Sequence, residues 1–156
     1  MFASVNSKHS LMKKSLSFVF LFILFLTACS NDGINVIPDT TLNGKIFGEK
    51  FVATQGYAEV HEAQYIKIVL TAAEVSCGSE MHNLPLYLSL AVPDRIGFHK
   101  NVLAVFGKSG EEPEKEIDAL VELIEVNQNQ VTGKLRSENS GRNTVEGTFT
   151  VSRCMQ

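Results

Sequence analysis

Residues 42–156 predict an all-β domain, either an antiparallel β-sandwich or a small β-barrel of about seven or eight strands. Three observations lead there. Apolar and polar side chains alternate with period two along most of this stretch. The alternating segments are short and rich in β-branched and aromatic residues, which fit a pleated, half-buried surface. Gly, Asn and Pro separate one segment from the next, where the chain must reverse.

Leu42-Asn43-Gly44-Lys45-Ile46-Phe47 opens the series, and Gly48-Glu49-Lys50 reads as a turn. Residues 51–60 and 65–70 are the next strands. In residues 84–92, Leu84, Leu86, Leu88 and Leu90 share one face, while Tyr87 keeps the other from being polar. Residues 101–106 follow. Residues 117–126 fit two periods: Ile117, Leu120, Val121 and Ile124 suit a helix, whereas Ile117, Ala119, Val121 and Leu123 suit a strand. The hairpin-like connection that follows favours a strand over residues 120–126. The last hairpin is the clearest. Residues 131–135 lead to the polar turn Ser137-Glu138-Asn139-Ser140-Gly141. Beyond it Val145, Phe149 and Val151 share one face, with Glu146, Thr148 and Thr150 on the other. Gly44, Gly133 and Gly147 each precede an apolar residue by two positions; their uneven intervals exclude a repeat array and point to bulges or bends.

Hydrophobic residues make up 44% of the chain and charged residues 20%, enough for one cored domain. The apolar content is uneven, because residues 18–26 are almost purely apolar. Met12-Lys13-Lys14 precedes that run as a basic start, and Leu26-Thr27-Ala28-Cys29 closes it. Basic, apolar, then small is the order of a secretory signal. Residues 1–28 are therefore expected to be a cleaved signal peptide, with Met12 a better start than Met1. The run is shorter than the roughly 20 residues of a membrane span.

Leu26-Thr27-Ala28-Cys29 resembles the lipobox of bacterial lipoproteins. The resemblance implies cleavage before Cys29, a diacylglycerol on its thiol and an acylated amino group. Two or three acyl chains, at about 0.8 kcal/mol per buried methylene, would hold the chain to membrane lipid. Ser30-Asn31-Asp32 has no aspartate directly after the cysteine, which by resemblance to enteric lipoprotein sorting implies the outer membrane of the cell envelope rather than the inner. Residues 29–41 are expected to be the lipidated cysteine and a flexible tether, given Asn31-Asp32-Gly33 and Pro38-Asp39.

From Cys29 onward the chain has eleven basic against seventeen acidic residues, a net charge of −6. That sign repels phosphate backbones, so nucleic acid is not an expected partner. With Cys29 assigned to lipid, Cys77 and Cys154 remain in an oxidising compartment, and an even remainder invites one structural disulfide. Closing so long a loop is worth about 4.5 kcal/mol in the chain-entropy model. Free or metal-binding thiols are the alternative.

No catalytic, cofactor-binding or metal-binding set is assigned. Gly107-Lys108-Ser109 looks like the end of a phosphate loop, but Val102 stands where the motif needs glycine, so a polar turn is expected. His61, His82 and His99 form no metal-spaced pair. Cys77 with His82 could act as thiolate and base only if no disulfide consumed the cysteine. Ser79 lacks a nucleophile-elbow context. Glu111-Glu112-Pro113-Glu114-Lys115-Glu116 reads as a solvated hairpin tip rather than a calcium loop. Glu122 and Glu125 cannot be placed as an acid–base pair without the fold. Tyr57, Tyr65, Tyr87, Phe98 and Phe106 could line a binding surface, but core packing is the expected role.

The arrangement of lipobox, tether, single β-domain and late cysteine resembles the small lipoproteins of Bacteroidota-type bacteria. It implies a non-catalytic envelope module that binds a protein, glycan or small molecule. A lipocalin-like carrier of an apolar ligand is the alternative, followed by a periplasmic hydrolase or enzyme inhibitor.

Overall fold

The computed structural model describes residues 36–154, apart from Ala63 and Ser140. The expected signal peptide, Cys29 and the first part of the expected tether lie outside the described residues. Nine strands form in chain order: β1 (Asn43–Ile46), β2 (Glu49–Val52), β3 (Gln55–Glu62), β4 (Tyr65–Thr71), β5 (Leu86–Pro93), β6 (Gly97–Lys108), β7 (Glu114–Val126), β8 (Gln130–Asn139) and β9 (Asn143–Arg153).

Between the two expected architectures, the pairing pattern gives the barrel. β3 to β9 pair in sequence, each antiparallel to the next, and β9 returns to β3. That last seam is parallel and joins Tyr57 to Ser152 and Ala58 to Arg153. The ring has seven strands. β1 and β2 form an extra hairpin, and β1 lies along the first half of β9, pairing Asn43–Lys45 with residues 144–146.

Alternation explains the interior. Along β9, Val145, Phe149 and Val151 point inward and are buried, as the sequence pattern predicts. The inward residues of the other strands include Ile66, Ile68, Leu88, Val92, Phe106, Val121, Leu123 and Leu135, all at 0% exposure. A water-sized sphere does not touch them, so these side chains pack against one another. Small and large residues interdigitate: Gly133 pairs with Phe149, and a methyl group on Gly133 would stand 2.8 Å from the Phe149 ring. Leu42, Ile46 and Phe51 carry the same core into the added hairpin. Each fully buried side chain of this size contributes about 1.5–3 kcal/mol.

Three bulges shape β6 and β7. His99 pairs with Val121 and Val102 with Ala119, so Lys100 and Asn101 together oppose Leu120; Asn101 takes a left-handed backbone (φ 56°). Ala104 pairs with Glu116, leaving Ile117 and Asp118 opposite Leu103. Against β8, Ile124 is the extra residue between the pairs Leu123–Gly133 and Glu125–Thr132. These shifts resolve the double periodicity of residues 117–126. The segment is a strand, as expected: the bulge at Ile117-Asp118 turns Ile117 outward, Ile124 faces out by alternation with Leu123, and Ala119, Val121 and Leu123 stay inside.

Several local expectations are corrected. The first turn is Phe47-Gly48, and Glu49 and Lys50 already belong to β2. Residues 51–60 divide into β2 and β3 at Ala53-Thr54. Gly107-Lys108 ends β6 instead of forming a turn; Gly107 is the strand partner of Tyr87. Residues 36–41, expected in the tether, pack on the barrel. Ile37 is buried, Arg136 donates to the Val36 carbonyl (2.8 Å), Asp39 pairs with Lys134, and the Thr40 carbonyl accepts from Thr148 N (2.7 Å). The folded unit thus includes the stretch before Leu42.

Candidate functional site

Cys77 and Cys154 are joined by a disulfide. Residues 72–85, which link β4 to β5, fold back over the outside of β3, β4 and β5. Tyr57, Val69, Leu84 and Tyr87 form a second apolar cluster there, covered by Ala73, Val75, Met81 and Cys154. Tyr57 Oη donates to the Ser79 carbonyl (3.0 Å). Burial pushes the phenols of Tyr57 and Tyr87 above their usual range, with Glu59 adding to the first and Lys67 opposing the second. This cluster accounts for Tyr87 on the face that the sequence leaves apolar. The disulfide holds the loop to the chain's late residues, so Cys77 is not a free partner for His82.

At one end of the barrel the β1–β2, β6–β7 and β8–β9 turns meet in a polar network. Asn143 is fully buried; its Oδ1 accepts from Phe47 N (2.7 Å) and its Nδ2 donates to Glu114. Arg142 lies 3.3 Å from Glu114, and its guanidinium stacks over the Phe47 ring at 5.3 Å. Lys108 stands between Glu111 (2.7 Å) and Glu49 (3.0 Å), whose hydrogen bonds raise its pKa. Ser137 Oγ donates to Glu116 (3.1 Å). Burial raises the Glu116 pKa and Asp118 and Glu138 add to the rise, while the Ser137 hydrogen bond opposes it. Glu111, Glu112 and Pro113 are exposed at the β6–β7 tip, as expected, whereas Glu114 and Glu116 already belong to β7, where they are half-buried and have structural partners.

The opposite end is tied by Arg153, which donates to both carboxylate oxygens of Asp94 (2.6 and 3.2 Å) and whose backbone N donates to the Asn129 carbonyl (2.8 Å). A shallow cleft beside this pair is lined by Gln64, Tyr65, Pro93, Asp94 and Arg95.

The structure does not bring the histidines together. His61 is exposed on β3, and His82 is exposed in a short 3₁₀ turn, 3.3 Å from Glu80. His99 is buried on β6, where its Nε2 lies 2.9 Å from the Arg95 carbonyl. Among the described residues no group of three His, Cys, Asp or Glu side chains is placed to hold a metal ion. Ser79 Oγ accepts from Ser76 N (3.1 Å). Glu122 opposes Lys134 across β7 and β8, and Glu125 accepts from Asn127 (2.7 Å) and Gln130 (2.9 Å). The aromatic residues divide: Tyr57, Tyr87 and Phe106 are core, and Tyr65 and Phe98 are exposed.

Phe98 is part of a larger feature that sequence reasoning missed. Ile96, Phe98, Leu103, Ile117 and Ile124 are 64%, 62%, 37%, 65% and 44% exposed. All five lie on β6, β7 or the turn entering β6, and they face outward. They fall in two groups, Ile96, Phe98 and Ile124 towards one end of the strand pair and Leu103 and Ile117 towards the other, with exposed Lys100 and Asn101 between them. Their trace in the sequence was the helix-like spacing of Ile117, Leu120 and Ile124, whose meaning depends on the bulge at Ile117-Asp118. No protein-family model, curated protein or solved structure matches the chain.

Proposed function

We propose that this chain is an exported, lipid-anchored envelope protein whose barrel is a non-catalytic binding or structural module. The observation that best supports the reading is the combination of the lipobox at Cys29 with a barrel stapled between its other two cysteines. A disulfide of this kind persists in oxidising compartments outside the cytosol, the destination that a lipobox implies. A module rather than an enzyme is favoured because the ionisable side chains suggested by sequence are dispersed or engaged in structural pairs. The interior packing favours recognition at the outer surface over an enclosed ligand.

The test is made on the full chain in a lipoprotein-processing bacterial host. Detergent phase partitioning should place the protein in the detergent phase, and the mass of its N-terminal peptide should begin at an acylated Cys29. Cys29→Ser should move it to the aqueous phase. An unmodified Cys29 with residues 12–28 still attached refutes the reading. Lipid released from the barrel in native mass spectra would instead favour a carrier.

A further inference from the structure

Resting on the reading of the barrel as a binding module, we infer that the cleft lined by Gln64, Tyr65, Pro93, Asp94 and Arg95 binds a neutral saccharide. Its volume is about 380 Å³, at the small end of ligand sites, which run from about 300 to 1,000 Å³. One wall is built of rings. Ile66 and Val92 point into the core at 0% exposure, so alternation turns Tyr65 and Pro93 outward. These two are direct strand partners on β4 and β5, which sets an aromatic and a pyrrolidine ring side by side on the outer surface. Tyr65 is 42% exposed. The rest of the cleft is polar and fixed in place. Asp94 N donates to the Gln64 carbonyl (2.9 Å), and Arg153 holds both Asp94 carboxylate oxygens (2.6 and 3.2 Å). Arg95 N donates to the Pro93 carbonyl (2.8 Å), and the Arg95 carbonyl lies 2.9 Å from His99 Nε2, while Arg95 itself is exposed. A cleft arranged in advance loses little freedom when it binds.

The mixture of groups identifies the ligand class. A carboxylate only accepts, a guanidinium only donates, and the Gln64 amide does both. A simple anion would meet Arg95 but face Asp94, and a simple cation the reverse. A hydroxyl group donates and accepts, so a ligand with several hydroxyls satisfies all three side chains. Asp94 keeps capacity for one, because an ionised carboxylate accepts about four hydrogen bonds and Arg153 supplies two. A pyranose meets the remaining requirement with its face of C–H groups, which lies on the Tyr65 ring. The cleft is shallow, so it covers one or two sugar units and holds them with a Kd of about 1 mM.

The chain has three tyrosines and no tryptophan, and Tyr57 and Tyr87 are buried, so quencher-accessible emission reports Tyr65. The full chain from the lipoprotein-processing host, in a sugar-free detergent, is titrated with cellobiose, N,N′-diacetylchitobiose and methyl mannoside, and separately with sodium glucuronate. At least one neutral sugar should show saturation transfer strongest at its ring C–H protons and shield tyrosine emission from acrylamide, with half-saturation at about 1 mM. Tyr65→Ala and Arg95→Ala, both at exposed positions, should each weaken that binding by about tenfold with the thermal midpoint unchanged. Tyr65→Phe keeps the ring and should keep most of the affinity. No transfer to any neutral sugar at about 20 mM, or equal binding by Tyr65→Ala, overturns the inference. Binding of glucuronate alone overturns the ligand class in favour of an anion at Arg95. The N-terminal peptide mass of the same sample separates the two readings. Acylated protein that ignores sugars loses the cleft and keeps the anchor, whereas sugar binding by protein with an unmodified Cys29 keeps the cleft and loses the anchor.

Discussion

Tyr87 lies across Gly107: the two residues pair between β5 and β6, and a methyl group on Gly107 would stand 1.9 Å from Tyr87 Cζ. The ring covers the glycine on the outside of the barrel, beneath the β4–β5 connection. Gly107→Ala should cost about 1–3 kcal/mol by overpacking. Urea denaturation checks this. Combining it with Tyr87→Ala should cost less than the two single changes added together, because the second removes the obstacle to the first. Full additivity would show that the ring does not enforce the glycine.

The buried amide of Asn143 joins the β1–β2 tip to β7. Asn143→Ala leaves Phe47 N without its acceptor and Glu114 with only Arg142 as a partner, and should destabilise the fold by about 2–3 kcal/mol. Asn143→Asp places a second carboxylate beside Glu114. Its destabilisation should be larger at neutral pH than at pH 3, a difference that denaturation at the two pH values would reveal.

Glu116 carries a pH signature of known sign. Its pKa is raised in the fold, chiefly by burial, so the folded state holds this proton more tightly than the unfolded chain. Its contribution to stability is fully present below the ordinary glutamate value of about 4.3 and declines as pH rises through the raised one. Glu116→Gln removes that decline. Relative to the parent, the variant should gain stability at pH 7 and change little at pH 3, measured as thermal midpoints across that range.

Reduction of Cys77–Cys154 should lower stability by about 2–5 kcal/mol. The residues covering Tyr57 and Val69 are held to the barrel through that bond. Limited proteolysis of the reduced protein should therefore begin within residues 72–85 while far-ultraviolet circular dichroism keeps its β signal. Cleavage starting in β7 or β8 instead would contradict the role given to the staple.

The legible parts of the fold were those in which neighbouring residues carry the information. The last hairpin followed from the alternation of Val145, Phe149 and Val151, and the cysteine pairing from an even remainder. Sandwich and barrel share the same inward alternation, so only the Tyr57–Ser152 seam, between residues distant in sequence, separates them. The bulge at Ile117-Asp118 shifted the period and left helix and strand in competition. Residues 36–41 looked like a tether because their order comes from Lys134, Arg136 and Thr148, which local sequence does not announce. The exposed apolar residues of β6 and β7 were hidden for the same reason: an apolar residue reads as core until its strand's phase is known.

The parallel seam also sets an order of events. Ser152 and Arg153 supply the β9 side of both paired positions that close the ring. A growing polypeptide lacking them is an open ribbon with an unpaired β3 border, whatever hairpins it has already made. The circle is completed only after almost every other strand has emerged, and the cysteine that locks it stands next in line.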